Sequence, residues 1–454
     1  MSEEIVEKKT NTNDLTTGVI WKKLLLYFLP IAAGTIFQQL YNAVDAIVVG
    51  RFVGTEALAA VGGTPATLTQ LIIGFFVALS SGAAVIIAQY FGAKHKARVS
   101  ASVSTSLIFC FIIGVVLAVV MFFAAPALLK LFNTPEDTME GAIVYTRIFF
   151  SGSAFLLLFN MGSGILRALG DSKRPFIYLV VSCLINIVLD LIFVIVLKMG
   201  VSGVAWATVI AQGISCILII INLATVKDFY RLNFRKLTFN FRILGKMMGI
   251  GIPAGIQSAM YGISNLILQV AVNSLGTVVV ASWAMSGKID GIYWAVSNAF
   301  GVSIMNFAAQ NYGAGQFDRI RQCTKTGLKL FFIGTACMSG LILLIARPLL
   351  HIFTADAAVI DTTWIIVLYF APSYLLWVII ELFSGVLRGI GDATRPTIIV
   401  AVGVCIVRII WVFTAFRMSP TLEILCIGYP LSWFITDILL LLYYRKKRRS
   451  LYQL

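Results

Sequence analysis

The sequence predicts an all-α polytopic membrane protein with twelve transmembrane helices in two homologous six-helix lobes. Three observations lead to this prediction: an apolar composition, a series of long apolar runs, and a repeat that relates the two halves of the chain. Of 454 residues, 59% are hydrophobic and 12% are charged, whereas soluble globular domains carry about 25% charged residues. A lipid bilayer is therefore the solvent that this composition fits.

Twelve apolar runs are long enough to cross a hydrocarbon core of roughly 30 Å, which takes about 20 helical residues. The runs lack the two-residue alternation of membrane barrel strands, so helices must satisfy the backbone hydrogen bonds. We place the spans at residues 24–50, 57–88, 99–125, 141–162, 175–197, 200–226, 247–275, 279–311, 328–346, 362–386, 396–416 and 422–444.

The basic residues predict the orientation of the spans. With the N-terminal tail placed inside, 27 of the 35 Lys and Arg residues lie on that side and six on the other. Cytoplasmic loops are enriched in Lys and Arg, so we expect a multi-pass protein of the plasma (inner) membrane with both termini cytoplasmic. Because the basic residues sit in short clusters between spans, the net charge of +15 reflects topology, and no nucleic-acid partner is expected.

A repeat relates the two halves of the chain. A shift of 221 residues superposes residues 163–175 on 384–396 with eight identities in thirteen, and near the start of each half Pro30 meets Pro253 at a shift of 223. Six spans per half is an even number, so both halves have the same orientation. We expect an N-terminal lobe at 1–226, a cytoplasmic linker at 227–246 and a C-terminal lobe at 247–454. The superposed segments share the pattern L-R-x-x-G-D-x-x-R-P, which predicts tight cytoplasmic turns.

Ionisable side chains inside spans mark candidate sites, because each costs about 2.5 to 3.5 kcal/mol on insertion scales. In the second half, two acids and two bases sum to zero, which favours neutralised structural pairs and leaves a secondary polar site as the alternative. The candidates are Asp45 and Asp190 in the first half, and Lys288, Asp290, Glu381 and Arg408 in the second.

Four oxygen-bearing side chains of the first half are predicted to converge in the outer half of the membrane. At about 1.5 Å of rise per residue, Asp45 of span 1, Asp190 of span 5 and Thr208 of span 6 lie at similar depths. Asn186 shares a face with Asp190. Oxygen ligands suit hard cations and a buried carboxyl can carry a proton, so the cluster could bind Na⁺ or H⁺. The alternative is structural pairing, for instance with Arg147.

Aromatic and Met side chains could line an adaptable pocket for an amphipathic substrate, although most aromatic residues in a helix bundle only pack. The candidates for such a cavity are Phe37, Tyr41, Met260, Tyr261, Trp283, Tyr293 and Trp294.

Together, the duplicated six-span halves, Pro30 and Asp45 on span 1, and the twin turn motifs resemble exporters of the multidrug and toxic compound extrusion (MATE) family. The resemblance covers nearly the whole chain and is closest to the branch often called DinF-like or MepA-like. In that branch an Asp on span 1, an Asn-x-x-x-Asp pair on span 5 and a span 6 Thr form a cation site, and Asp45, Asn186, Asp190 and Thr208 match it. The Glu that the other branch carries on span 7 is absent, since Gln257 and Tyr261 stand nearby.

The resemblance implies export of amphipathic, often cationic organic compounds in exchange for Na⁺ or H⁺ by rocking of the lobes. We expect membrane lipid and a small organic substrate as partners, a monomer, and no cofactor. The nearest rival is a lipid-linked oligosaccharide flippase of the same superfamily. An intramembrane enzyme is disfavoured because no HExxH or G-x-S-x-G motif is present, and ATP is not expected because Gly287-Lys288 is followed by Ile289 rather than Ser or Thr.

Overall fold

A computed structural model describes residues 14–354 and 356–451, which form helices joined by short loops with no β-strand among them. The basic residues of the N-terminal tail at positions 8 and 9, which enter the topology prediction, lie outside this range. The first half contains α1 (Ile20–Phe52), α2 (Thr55–Gly62), α3 (Thr64–Gly92), α4 (Lys96–Leu131), α5 (Glu136–Ser151), α6 (Ser153–Ala168), α7 (Lys173–Leu191), a π-helical turn (Ile192–Val196) and α8 (Gly200–Thr225).

The second half repeats this order after a short 3₁₀ turn at Phe234–Lys236. It contains α9 (Phe241–Ser274), α10 (Thr277–Gly313), α11 (Phe317–Phe353), α12 (Ala357–Gly389), α13 (Thr394–Val400), a π-helical turn (Ala401–Ile406), α14 (Val407–Trp411), a second π-helical turn (Val412–Phe416) and α15 (Leu422–Leu451).

These elements account for all twelve predicted spans and confirm the all-α fold class. Within the described residues, nine helices are long and apolar enough to cross a membrane, and α5 with α6, bent by 48°, make a tenth. The other two predicted spans are α9 and α10, which have 34 and 37 residues. Both are longer than their apolar runs, and α9 begins six residues before the expected start of span 7.

Small residues allow close helix contacts in the first half. A Cβ atom at Gly114 of α4 would overlap the backbone of Ala154 on α6. Helices in bilayers associate largely through such close backbone packing, because lipid tails are as apolar as the side chains. The bent span is thus held tightly against α4.

The chain forms two compact units. Within the described residues, the first comprises 14–15 with 29–255, and the second comprises 16–28 with 256–451. Two helices, α1 and α9, change units part of the way along their length, so that the first nine residues of α1 belong to the second unit and the first fifteen of α9 belong to the first.

The twin motifs form tight turns in both halves, as predicted. Gly170, between α6 and α7, and Gly391, between α12 and α13, both have φ of +89°, a left-handed conformation that favours glycine. Asp171 Oδ1 accepts hydrogen bonds from the backbone N–H groups of Lys173 and Arg174, each at 3.1 Å. The motif therefore ends one helix and begins the next.

Candidate cation site

Three helices of the first unit bring together the four side chains that the sequence placed at one level. Asp45 lies on α1, Asn186 and Asp190 lie one turn apart on α7, and Thr208 lies on α8. Asp190 has no exposed surface, Asn186 is 1% exposed and Thr208 is 5% exposed, while Asp45 is half-buried. Polar groups buried in this way need partners, because water cannot compensate them.

Asn186 connects the two acids. The neighbouring groups decide the orientation of its amide. Only one orientation places the amide nitrogen against acceptors and the amide oxygen against a donor. In that orientation Nδ2 donates to Asp45 Oδ1 at 3.0 Å and to Asp190 Oδ2 at 3.2 Å. The amide oxygen accepts from the backbone N–H of Thr208 at 3.2 Å. In this structure Asn186 therefore presents its nitrogen, rather than its oxygen, to the two carboxyl groups.

Two hydroxyl groups lie beside the acids. The Thr208 hydroxyl donates to the Val204 carbonyl at 3.0 Å, and its oxygen lies 3.5 Å from the Tyr41 hydroxyl. Asp190 Oδ1 has no hydrogen-bond partner within the described part of the chain. Tyr41 thus belongs to the cluster. From the sequence alone it is a candidate only for the substrate cavity.

The two acids lie close enough to repel each other when both are ionised. Among residues 14–354 and 356–451, no basic side chain forms an ion pair with either of them. Arg147, the candidate partner from sequence, instead donates through Nε to the Phe122 carbonyl at 3.0 Å and stacks on the Phe122 ring. Two facing carboxyl groups without a base favour a mobile cation or a proton as their counter-charge.

A cavity of about 140 Å³ adjoins this cluster within the first unit. Asn186, Thr208 and Tyr41 contribute to its wall, and so do Arg167 in the last turn of α6 and Ser172 just before α7. The cavity therefore extends from the cluster towards the turn. Phe37 does not contribute to its wall; it is 40% exposed and packs edge-to-face on Phe176.

The cluster can provide several oxygen ligands for a small hard cation. Both carboxyl groups, including the free Oδ1 of Asp190, and the Thr208 hydroxyl are of the oxygen type that such cations prefer. Asn186 could add a further oxygen after a rotation of its amide. The same groups could equally share a proton between the two carboxyls.

The four ionisable residues predicted in the second half have different surroundings. The Asp290 carboxyl accepts from the Tyr374 hydroxyl, and the Arg408 guanidinium lies 3.8 Å from the centre of the Tyr429 ring. Glu381 packs against Gly301 of α10, and Lys288 is exposed.

The expected balance of two acids against two bases in the second half is wrong. A third acid, Asp437, lies within the last span on α15 and is 3% exposed. The sequence alone could have revealed this acid. Asp437 is the one acidic residue between Cys426 and the basic run from Arg445, and so it lies within the predicted span 422–444.

The aromatic candidates of the second half pack on other aromatic side chains. Tyr293 stacks on Tyr374 with ring centres 3.9 Å apart, and Trp294 contacts Trp377 at 4.9 Å. Tyr261 also contacts Trp377, and Trp283 contacts Phe370. Met260 lies half-buried on α9. In this conformation these side chains form an aromatic cluster.

The family model called MatE matches the chain twice, over residues 30–192 and 253–414. The matches begin 223 residues apart, which confirms the internal repeat. The "Probable multidrug resistance protein YoeA" of Bacillus subtilis is 29% identical over 435 residues, covering 94% of each chain. The "Multidrug export protein MepA" of Staphylococcus aureus is 22% identical, over 87% of this chain and 88% of its own.

Solved structures share the fold. One described as the "Outward-facing conformation of a multidrug resistance MATE family transporter of the MOP superfamily" superposes with a TM-score of 0.91 at 24% identity, over 98% of this chain and 99% of that one. A MATE structure "in the straight conformation" gives a TM-score of 0.90 at 23% identity, over 98% and 99% of the two chains. The two-lobe, twelve-helix architecture is thus common to these proteins.

Proposed function

We propose that this chain, which belongs to the MATE family of transporters, is a secondary antiporter of the plasma membrane. In this proposal it exports amphipathic, cationic organic compounds in exchange for Na⁺ or H⁺. Both termini are cytoplasmic, and substrate export draws on the ion gradient rather than on ATP. The family is one of transporters, and the protein is therefore not an enzyme.

One observation carries the proposal: Asp45 and Asp190 lie together in the first unit, without a basic partner in the described residues, and share the amide of Asn186. Burying a pair of carboxyl groups inside a bilayer costs free energy, and ionisable groups inside spans therefore usually mark a functional site. Such a pair attracts a positive charge, and this supports the coupling role.

The coupling follows from the difference between the loaded and the empty cluster. Without a cation, the hydrogens of the Asn186 amide occupy the space between the carboxyl groups. A bound cation or proton removes the repulsion between Asp45 and Asp190 and allows the surrounding helices to close. Ion and substrate would then favour different conformations of one equilibrium, and only this differential affinity lets one drive the other.

The names of the relatives support organic compounds as substrates, since both YoeA and MepA are described as multidrug proteins. A flippase for lipid-linked oligosaccharides is less well supported, because a polyanionic headgroup calls for several basic side chains. Inside the spans only Lys288 and Arg408 are basic, and Arg408 lies against Tyr429.

The deciding experiment is export from proteoliposomes that contain the purified protein and a fluorescent organic cation. A Na⁺ gradient and a proton gradient are imposed separately, each with an ionophore control that dissipates it. We expect one of the two gradients to drive uphill export, and Asp190→Asn to lose it. Export that is equally fast with no gradient, or with ATP alone, would overturn the proposal.

A further inference from the structure

The Asp437 carboxyl on α15 is a buried acid of the second unit. The residue is 3% exposed, and neither Oδ1 nor Oδ2 has a hydrogen-bond partner among the residues that the structure describes. A buried acid normally accepts several hydrogen bonds or pairs with a base. Within the described residues Asp437 has neither hydrogen bonds nor a base. How this carboxyl is tolerated in a buried position therefore needs an explanation.

Asp437 lies beside a tight helix contact. A Cβ atom at Gly403 would overlap the hydroxyl of Thr436, the residue before Asp437. Gly403 belongs to the π-helical turn Ala401–Ile406, whereas the corresponding residues 180–185 of the first half lie in the regular α-helix α7. Such turns often occur where a helix carries a function. The helix that carries Asp437 therefore packs, at the neighbouring residue, against an irregularity that the repeat alone does not require.

The titratable groups on the elements packed against α15 are engaged elsewhere or form no bond to Asp437. Tyr374 of α12 donates to Asp290, Arg395 of α13 contacts the Tyr443 hydroxyl at 3.3 Å, and Arg408 of α14 lies on Tyr429. The remaining groups on these elements are Asp361, Tyr369, Glu381, Arg388 and Cys405. The α10 helix, which contacts α15 through Trp294, adds Lys288, Asp290, Tyr293 and Tyr312. No ion pair within the described ranges involves Asp437.

The nature of the occupant follows from the number of ligands. A sodium ion needs several oxygen ligands, and a single carboxyl group cannot replace its hydration shell. A proton needs only one oxygen. An ionised carboxylate without a partner would place an uncompensated charge in a medium of low polarity.

We propose that Asp437 is a second protonation site, located in the second unit and separate from the Asp45 and Asp190 cluster. It holds a proton in the conformation described here and exchanges it with water during the transport cycle. The proposed exchange of this proton during transport rests on the proposed function, whereas the presence of the bound proton does not. A chain that couples to Na⁺ through its first unit would thus still move a proton through its second.

The surroundings of Asp437 explain why exchange requires a conformational change. Trp433, one turn away on the same face of α15, is 1% exposed and packs on Trp377 and Trp294 with ring centres 5.6 and 6.1 Å apart. Leu440, three residues after Asp437 on α15, is fully buried. Water reaches the carboxyl group only when this packing opens.

Infrared spectroscopy of the protein in lipid tests for the bound proton directly, through the carbonyl stretch of a protonated carboxyl group. We expect Asp437→Asn to lose one such band at neutral pH. Asp437→Glu should keep a shifted band, and Glu423→Gln, at an exposed acid of the same helix, should leave the spectrum of protonated carboxyls unchanged. Identical spectra for wild type and Asp437→Asn would overturn the proposal, whether or not the protein transports.

Proton exchange is then measured with a pH-sensitive dye in weakly buffered proteoliposomes during export of the fluorescent cation. Relative to wild type, Asp437→Asn should move about one proton fewer per exported molecule, while Glu423→Gln moves the same number. If the infrared band is lost but the proton count is unchanged, Asp437 is a static neutral group and the exchange is refuted.

Discussion

The amide nitrogen of Asn186 lies 3.2 Å from Oδ2 of Asp190, one turn away on α7, and 3.0 Å from Asp45 Oδ1. The amide hydrogens are donated to both acids, in the space where the proposed cation would bind. To serve as an oxygen ligand, Asn186 must rotate its amide and give up these bonds. The residue is therefore expected to respond to the ion rather than to remain a fixed ligand.

The acid pair itself gives the first prediction. Asp45→Asn and Asp190→Asn should each reduce gradient-driven export to background at wild-type expression, because a single remaining carboxyl leaves no repulsion for the ion to relieve, so ion binding no longer favours one conformation over the other. Thr208→Ala should weaken ion affinity only about fivefold, since loss of one neutral ligand costs about 1 kcal/mol and water can replace it. Transport in proteoliposomes, at varied ion concentration, measures both effects.

The matched control for these variants is Asp137→Asn, which removes an exposed acid of the first unit and should leave export unchanged. If Asp190→Asn still drives uphill export with an unaltered ion dependence, the cluster is not the coupling site.

The amide of Asn186 gives the second prediction. Asn186→Ala removes the donors that connect the two acids in the empty cluster, whereas in the loaded cluster water can take the place of its oxygen. We therefore expect this change to lower the melting temperature more in cation-free buffer than at saturating cation. Thermal unfolding in detergent under the two conditions measures the difference.

Asn160→Ala is the control for this experiment, because Asn160 lines the same cavity but, within the described residues, its amide donates to the Leu156 carbonyl at 2.9 Å rather than to either acid. Its effect should be the same in both buffers. An equal shift for Asn186→Ala would mean that the amide does not substitute for the ion.

The acids of the second unit give the third prediction. Asp290→Asn should retain at least about half of wild-type export, since an Asn oxygen can still accept from Tyr374 in place of the carboxylate. Glu381→Gln should behave similarly, with the loss appearing mainly in expression. Export rates normalised to the amount of protein measure this. An inactive, well-expressed Glu381→Gln protein beside an active Asp190→Asn protein would transfer the coupling role to the second unit.

Topology gives the fourth prediction. In a variant without the seven native cysteines, Lys236→Cys and Arg449→Cys should resist a membrane-impermeant thiol reagent in intact cells, because the basic clusters around them are retained on the cytoplasmic side. Arg417→Cys, on the opposite side in the prediction, should react and serves as the positive control. Labelling of Arg449→Cys from outside would reverse the orientation.

Much of the fold was predictable from the sequence, because apolar runs must become helices in a bilayer and because the repeat fixes how many belong to each half. The turns at Gly170 and Gly391 were predictable for a similar reason, since the shared motif requires the same backbone conformation twice. Helix ends were less predictable. The α9 helix begins before its apolar run, since a helix continues beyond the membrane for as long as its backbone bonds are satisfied.

The sequence by itself determined which side chains could meet in the first unit, because helical rise and periodicity set the depth and the face of Asp45, Asn186, Asp190 and Thr208. Only the tertiary structure decided how they meet: which atom of Asn186 points to the acids, that Tyr41 joins them, and that Arg147 bonds elsewhere. These outcomes depend on how helices distant in sequence rotate against each other. The same holds for Asp437, whose lack of a partner among the described residues follows from its surroundings on other helices and not from its neighbours along the chain.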